Sequence, residues 1–138
     1  MSDWNTSVIE DFRANGGKVG GGFEGIPMLL LHHRGRTSGT ERVTPLVYLP
    51  HGDDFVIFGS KAGAPAHPDW FHNLVANPDT VVEVGTETVD VRVRVAEGDE
   101  RNRLFAAQKA AMPGFEEYEQ KTAGIREIPV VILERRSA

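Results

Sequence analysis

The chain contains no cysteine. That excludes a disulfide framework, thiolate metal ligation and thiol catalysis, and it suits a reducing compartment. Nowhere do ~18 apolar residues follow one another, so no segment is expected to span a bilayer as a helix. The first residues, Met1 to Asn5, offer neither a basic n-region nor an apolar h-region. No secretory signal is expected, and a cytoplasmic location is. The five histidines show no His-Glu-x-x-His or comparable spacing, so no metal site is expected. There is no Gly-x-Ser-x-Gly elbow, no Walker loop and no Gly-x-Gly-x-x-Gly between a strand and a helix. A βαβ series is also missing, which argues against a doubly wound nucleotide fold.

What remains is an ordinary globular composition: 138 residues, 40% hydrophobic and 25% charged. This suits one domain over 1–138 with a single core. The net charge of −5 argues against nucleic acid as a partner. The charge is uneven, however. Between Arg13 and Arg42 stand five Lys or Arg against two acids, a local +3 that leaves −8 for the rest. An acidic protein with one basic segment fits a single anionic ligand better than a polyanion.

Ser2 or Asp3 can cap a first helix, about 3–14, with Trp4, Val8, Ile9 and Phe12 near one face and Asn15-Gly16-Gly17 as its stop. The glycine-crowded stretch 16–22 reads as a loop. Strands are predicted over 27–33, 42–49, 55–59, 80–84, 86–95 and 128–133, the first three as an antiparallel meander and the last in a central place. Pro45 demotes the second strand to an edge or a bulge. Val89, Val91, Val93 and Val95 alternate with polar residues on the fifth. Helices are predicted over 68–76, opened by Pro68, and over 97–112 with Leu104, Phe105 and Ala107 in the core. A short one follows to Thr122. The sum is an α+β fold over about 26–135 of about six mostly antiparallel strands, curling into a small barrel, with three or four helices.

Three segments could carry chemistry. In Gly35-Arg36-Thr37-Ser38-Gly39-Thr40-Glu41-Arg42, two arginines six residues apart can converge on one anion. Backbone N–H groups and two hydroxyls add donors. The same residues would also make a plain exposed turn. Ser60-Lys61-Ala62-Gly63 follows a strand, where amides are often presented to ligands, but it could equally be a simple connection. Trp70 and Phe71, beside Pro68 and Asn73, could wall a pocket for a flat ring or fill a helix core. Residue by residue, this describes an anion-anchored flat ligand and names no reaction.

Taken in order, these segments resemble the deazaflavin-dependent nitroreductase family, also described as quinone reductases that use coenzyme F-420 on a split β-barrel of the FMN-binding kind. The stretches that carry the resemblance are 12–21, Gly35 to Gly39 with Arg42, Pro45 and Leu46, and Ser60 to Ala64. Pro68, Trp70, Asn73-Leu74 and Asn77-Pro78 follow, then Tyr118, Thr122, Arg126 and Ile128-Pro129-Val130. The resemblance implies that Arg36 and Arg42, with Thr37, Ser38 and Gly39, hold the phosphate and acidic tail of coenzyme F-420. Lys61 and Ala62 would lie beside them, Ser60 would hydrogen-bond the deazaflavin ring, and Pro45, Val47 and Trp70 would line it. A hydride would pass to a small organic acceptor, a quinone, activated alkene or nitroaromatic. Tyr118, Ser60 or solvent would supply a proton. Some members place three tyrosines over the active site. Here Met112 and Phe115 take two of those places and only Tyr118 keeps its hydroxyl, which favours quinones, enones or aromatic lactones over nitroimidazoles. Thr37 stands where a basic residue is found in relatives. FMN in place of the deazaflavin, or binding without turnover, are the competing readings. A homodimer and a peripheral membrane contact through the first helix are compatible with all three.

Overall fold

The computed structural model describes residues 3–18, 27–60, 63 and 65–136, with side chains from residue 6. The glycine-rich stretch 19–22 lies outside them, as does the side chain of Trp4.

Helix α1 spans Asp3–Ala14. Val8 and Phe12 are buried and Ile9 partly so, the one-faced pattern the spacing predicts. Gly16 and Gly17 take positive φ, and the Gly17 N–H closes back on Phe12 O at 2.8 Å, ending the helix. Seven strands follow: β1 (Met28–Arg34), β2 (Glu41–Val47), β3 (Leu49–His51), β4 (Asp54–Phe58), β5 (Asp79–Val84), β6 (Glu87–Val95) and β7 (Val130–Arg135). Between them lie α2 (Asp69–Ala76), α3 (Gly98–Ala111) and α4 (Gly114–Thr122).

All seven strands form one antiparallel sheet in the order β2-β1-β5-β6-β7-β4-β3. Its outermost members, β2 and β3, are separated in the chain by Tyr48 alone. A sheet whose two ends are joined by one residue must curl on itself, and this makes the α+β fold a barrel. The extra strand relative to the six expected is β3. It falls where a strand ending at 49 and a turn over Pro50 to Asp53 are predicted. The chain bends at Tyr48 and continues as a three-residue strand pairing with β4, where Pro50 sits at an outer position that needs no N–H. The meander is therefore split. The first part of the bent strand pairs with β1 and the second with β4, whose other neighbour is β7. Strand β7 lies centrally, between β6 and β4, with Val130 to Leu133 fully buried.

The strands separate two faces. Leu29 and Leu31 of β1 join Ile57, Trp70, Leu74, Val82 and Val131 in one core, whereas Met28 and Leu30 meet Val8 and Phe12 of α1. A third cluster packs Phe105 and Phe115 of α3 and α4 on Phe58, Ile128 and Val130. Two details differ from expectation. Ala107 is exposed, and the buried stripe of α3 is Arg101, Leu104, Phe105 and Gln108. That stripe follows the helical period, and the aliphatic part of Arg101 fits under it. The Arg101 guanidinium lies 4.8 Å from the Phe105 ring centroid, and its Nη2 donates to Ile128 O at 2.8 Å. Val95 is exposed at the end of β6, and Ala96 turns inward in its place.

Candidate cofactor site

Strands β1 and β2 are joined by a turn over 35–40. The Gly35 N–H donates to Thr40 O and the Gly39 N–H to Gly35 O, each at 2.9 Å. Ser38 Oγ accepts the Thr40 N–H at 3.2 Å. A Cβ on Gly35 would strike that hydroxyl, and Gly39 has φ +72°. Gly39 thus holds a backbone conformation that favours glycine, and a side chain at Gly35 would have to displace the Ser38 hydroxyl. The amides of Thr37 and Ser38 have no hydrogen-bond partner among the described residues.

The turn forms one wall of a cavity of about 440 Å³. The other walls are Arg42 and Thr44 of β2, His33 of β1, and Asp69, Trp70 and Asn73 of α2. Pairing explains the meeting: Leu31 stands opposite Thr44 and His33 opposite Arg42, so alternate residues share a face. Neither Arg36 nor Arg42 is in an ion pair among the described residues. Neighbouring Arg34 lies 3.8 Å from Glu41. Two guanidiniums and two amides without partners among the described residues, with three hydroxyls (Thr37, Ser38 and Thr44), on one concavity suit a phosphate or carboxylate. Among the described residues Asp69 is the only acid on the wall.

Behind the cavity lies a buried polar chain. The Arg36 N–H donates to Asn73 Oδ1 at 3.0 Å. Asn73 Nδ2 is 3.0 Å from His33 Nδ1, and His33 Nε2 is 2.8 Å from Thr44 Oγ1. Desolvation by burial, helped by the nearby positive charge of Arg42, lowers the His33 pKa from 6.5 to about 4, so the ring is neutral at pH 7. His32, one residue earlier, points the other way and bonds Glu83 at 2.7 Å. Glu83 also receives the Arg13 guanidinium, which ties α1 to the sheet and holds the carboxyl below its ordinary range.

Of the residues singled out in the sequence, the structure brings Arg36, Thr37, Ser38, Arg42, Trp70 and Asn73 onto this cavity, with Gly39 closing the turn. Trp70 is both wall and core, being 6% exposed and packed in the barrel interior. Pro45 and Val47 are not brought to it. They share the opposite face of β2 with Val43, toward α1. Ser60 is buried beyond β4, where its carbonyl accepts from Arg126 Nη2 at 3.0 Å and from the Gly63 N–H at 2.9 Å. Arg126 also donates to Gly59 O at 3.0 Å and reaches His67 Nδ1 at 2.9 Å, and so shapes the loop that leads to Pro68 and α2. Lys61 and Ala62 lie outside the described residues.

Met112, Phe115 and Tyr118 sit together at the α3–α4 corner and are not among the residues that line the Arg36 and Arg42 cavity. The Phe115 ring is 5.8 Å from Phe58 and 5.1 Å from Tyr118, and Met112 Sδ accepts from Gln108 Nε2 at 3.3 Å. Tyr118 is half-buried. Lys121, one turn on, lies against Gly63, so this corner borders the Ser60 loop. His33, Thr44 and Asp69 belong to the cavity but carry no signal as isolated letters. The β1–β2 register is what would have found His33 and Thr44. Among the described residues no group of three His, Asp or Glu could hold a metal, and no helix is long and apolar enough to cross a membrane.

Residues 4–135 match the family model of the F420H(2)-dependent quinone reductase. Rv3178 of Mycobacterium tuberculosis, a provisionally named F420H(2)-dependent quinone reductase, is 38% identical over 120 residues, covering 86% of this chain and 99% of its own length. A solved F420-H2-dependent reductase, FDR-A, is 36% identical with a TM-score of 0.71, covering 78% of this chain and 94% of its own. A structure described as a domain-swapped dimer is 33% identical with a TM-score of 0.72, covering 94% of this chain and 93% of its own. A shared fold and a match along nearly the whole chain lead to one conclusion: the chain belongs to the F420H(2)-dependent quinone reductase family.

Proposed function

We propose that the cavity between the 35–40 turn and α2 holds the anionic tail of coenzyme F-420, and that the ring extends toward the Ser60 loop and the Tyr118 corner. As a member of this family the chain is an oxidoreductase with coenzyme F-420 as its cofactor. The observation that carries the placement is that Arg36 and Arg42, neither in an ion pair among the described residues, line one cavity with Thr37 and Ser38, whose amides have no partner among those residues. Charge-assisted contacts of this kind select a phosphate or carboxylate and fix its orientation.

When bound, the reduced cofactor supplies a hydride, which is its own chemistry. The chain's task is to position it and exclude water. Trp70 lines the cavity from a buried position in the core. Ser60 is held by Arg126 on a shaped loop, as a group that positions the ring needs to be. Lys61 and Ala62 follow Ser60 in the sequence and complete the proposed set of cofactor contacts. The acceptor is a small molecule, and a quinone or enone suits the apolar corner of Met112 and Phe115. Tyr118, Ser60 or solvent supplies the proton the reduced acceptor needs. A homodimer is part of the reading, on the strength of the dimeric relative, and sedimentation tests it. A cytoplasmic location, with or without peripheral membrane contact through α1, is tested by fractionation.

The deciding experiment is a fluorescence titration of the protein with coenzyme F-420 and, in parallel, FMN. Oxidation of the reduced deazaflavin by a quinone is then followed. Binding of the deazaflavin alone, with acceptor-dependent oxidation, is the expected result. Preference for FMN would move the chain to flavin chemistry. Tight deazaflavin binding without turnover would make it a carrier.

A further inference from the structure

The buried chain behind the cavity has a direction, and one fixed donor sets it. The Arg36 amide can only donate, so the Asn73 atom facing it at 3.0 Å is the carbonyl oxygen. Asn73 then turns its NH₂ to His33 Nδ1, 3.0 Å away. An amide nitrogen only donates, so Nδ1 accepts and carries no proton. The proton of the ring sits on Nε2 and is donated to Thr44 Oγ1 at 2.8 Å. The Thr44 oxygen is thereby occupied as an acceptor, and its hydroxyl proton has no other partner among the described residues. Thr44 lines the same cavity as Arg36 and Arg42.

We propose that His33 is a positioning residue of the cofactor site: as the Nε2–H tautomer it locks Asn73 onto the 35–40 turn and aims the Thr44 hydroxyl proton into the cavity, as a donor to the anionic ligand. This rests on the cavity's being the site of the cofactor's tail. The two ends of the chain act on the same ligand, one through the turn that carries Arg36 and the other through Thr44. His33 and Asn73 are 6% and 4% exposed, so neither can exchange its partner for water without local opening. The charged groups around the ring are Arg42 from β2, His32 from its own strand, Asp69 from α2 and Arg36 from the turn. On its other side a smaller cavity of about 210 Å³ brings Arg34, Glu41 and Asp79. A doubly protonated ring would present a donor to the Asn73 NH₂ and break the chain at its middle.

The relay is read directly in a long-range ¹H–¹⁵N spectrum of the protein alone at pH 7. His33 should show a protonated Nε2 and a bare Nδ1, and the opposite tautomer would overturn the proposal. Its consequence is read by coenzyme F-420 titrations of Thr44→Val, Thr44→Ser and His33→Leu. Loss of one hydroxyl donor in Thr44→Val should weaken binding by about five- to tenfold, while Thr44→Ser stays within about twofold of wild type. In the His33→Leu background Thr44→Val should add little, because the hydroxyl is no longer aimed. If His33→Leu does not fold, the tautomer and the Thr44 pair still decide. Wild-type affinity in Thr44→Val alongside weakened binding in Arg42→Ala would defeat this inference and leave the cofactor site standing. A wild-type protein that fails to bind coenzyme F-420 would remove the proposed function itself.

Discussion

Asn73 of α2 reaches across to the backbone of Arg36, its Oδ1 accepting the amide proton at 3.0 Å, so a helix side chain holds the turn that carries the anion-binding arginine. Removing that clamp in Asn73→Ala strands a buried acceptor, His33 Nδ1, and a part-buried donor, the Arg36 N–H. A buried unsatisfied group costs on the order of 1–3 kcal/mol and a part-buried one, which water can reach, less, so a stability loss of about 2–4 kcal/mol is expected in urea denaturation. Coenzyme affinity should fall as well, although Asn73 need not touch the ligand. Unchanged stability would mean that the turn holds itself.

Arg36→Ala and Arg42→Ala should behave differently. Both side chains are exposed and without an ion pair among the described residues, so folding should change by less than about 0.5 kcal/mol. Affinity for coenzyme F-420 should fall by ~1.5–3 kcal/mol for each. The loss should shrink as salt rises, since charge screening weakens the wild-type contact. Equal affinity in both variants and the wild type would place the tail elsewhere.

Acid should loosen the protein through His33. Its folded pKa of about 4 lies below the ordinary 6.5. Between those values the unfolded chain binds a proton that the folded chain refuses, so stability rises with pH across the window. The contribution is complete above about pH 6.5 and is lost as pH falls to about 4, amounting to ~3 kcal/mol at most. Glu83, held low by Arg13 and His32, acts in the same direction below its ordinary value of 4.5. The His33 share is therefore read as the difference between wild type and His33→Leu in urea denaturation from pH 7 to 4. Parallel curves would show that His33 titrates normally.

Tyr118→Phe and Ser60→Ala separate the two candidate proton donors. The Tyr118 ring packs on Phe115 at 5.1 Å and Tyr118→Phe keeps that contact, so stability should hold. The variant missing the true donor should lose about 10²-fold or more in kcat while still binding coenzyme F-420. If neither variant loses rate, the proton comes from solvent.

Much of this architecture is legible in the letters. The alternation of β6, the apolar run of β7, the proline in β2 and the Pro68 helix start each have a local cause, and each element is where that cause puts it. The bend at Tyr48 has none. It is dictated by closure of the sheet, so β3 looks like a turn in the sequence. Ala107 resembles core by apolar character alone, whereas the helical phase puts Arg101 and Gln108 inside. At the site, the arginines and the turn glycines announce themselves by residue type. His33 and Thr44 do not, since a histidine and a threonine on neighbouring strands acquire a relation only through register, and the partner that fixes them, Asn73, lies 40 residues along the chain from His33.

Two glycines with positive φ should respond unequally to alanine. Gly17, at φ +94°, backs onto the β5–β6 hairpin, where an added Cβ would lie 2.6 Å from Gly85 Cα and 2.9 Å from its N. That neighbour is backbone on a tight turn and cannot swing aside, so Gly17→Ala combines conformational strain of about 1–2 kcal/mol with a steric clash. It should separate α1 from the sheet and weaken the Arg13–Glu83 contact that depends on this docking. Gly39, at φ +72°, faces open space, with nothing within 4 Å of an added methyl. Gly39→Ala should therefore cost only the strain, about 1–2 kcal/mol. Its larger effect should fall on coenzyme binding, because the turn that carries Thr37 and Ser38 is reshaped. Urea denaturation and a coenzyme titration of both variants test the distinction. Equal destabilisation with equal affinity would mean that contact with Gly85 adds nothing to the strain of the backbone.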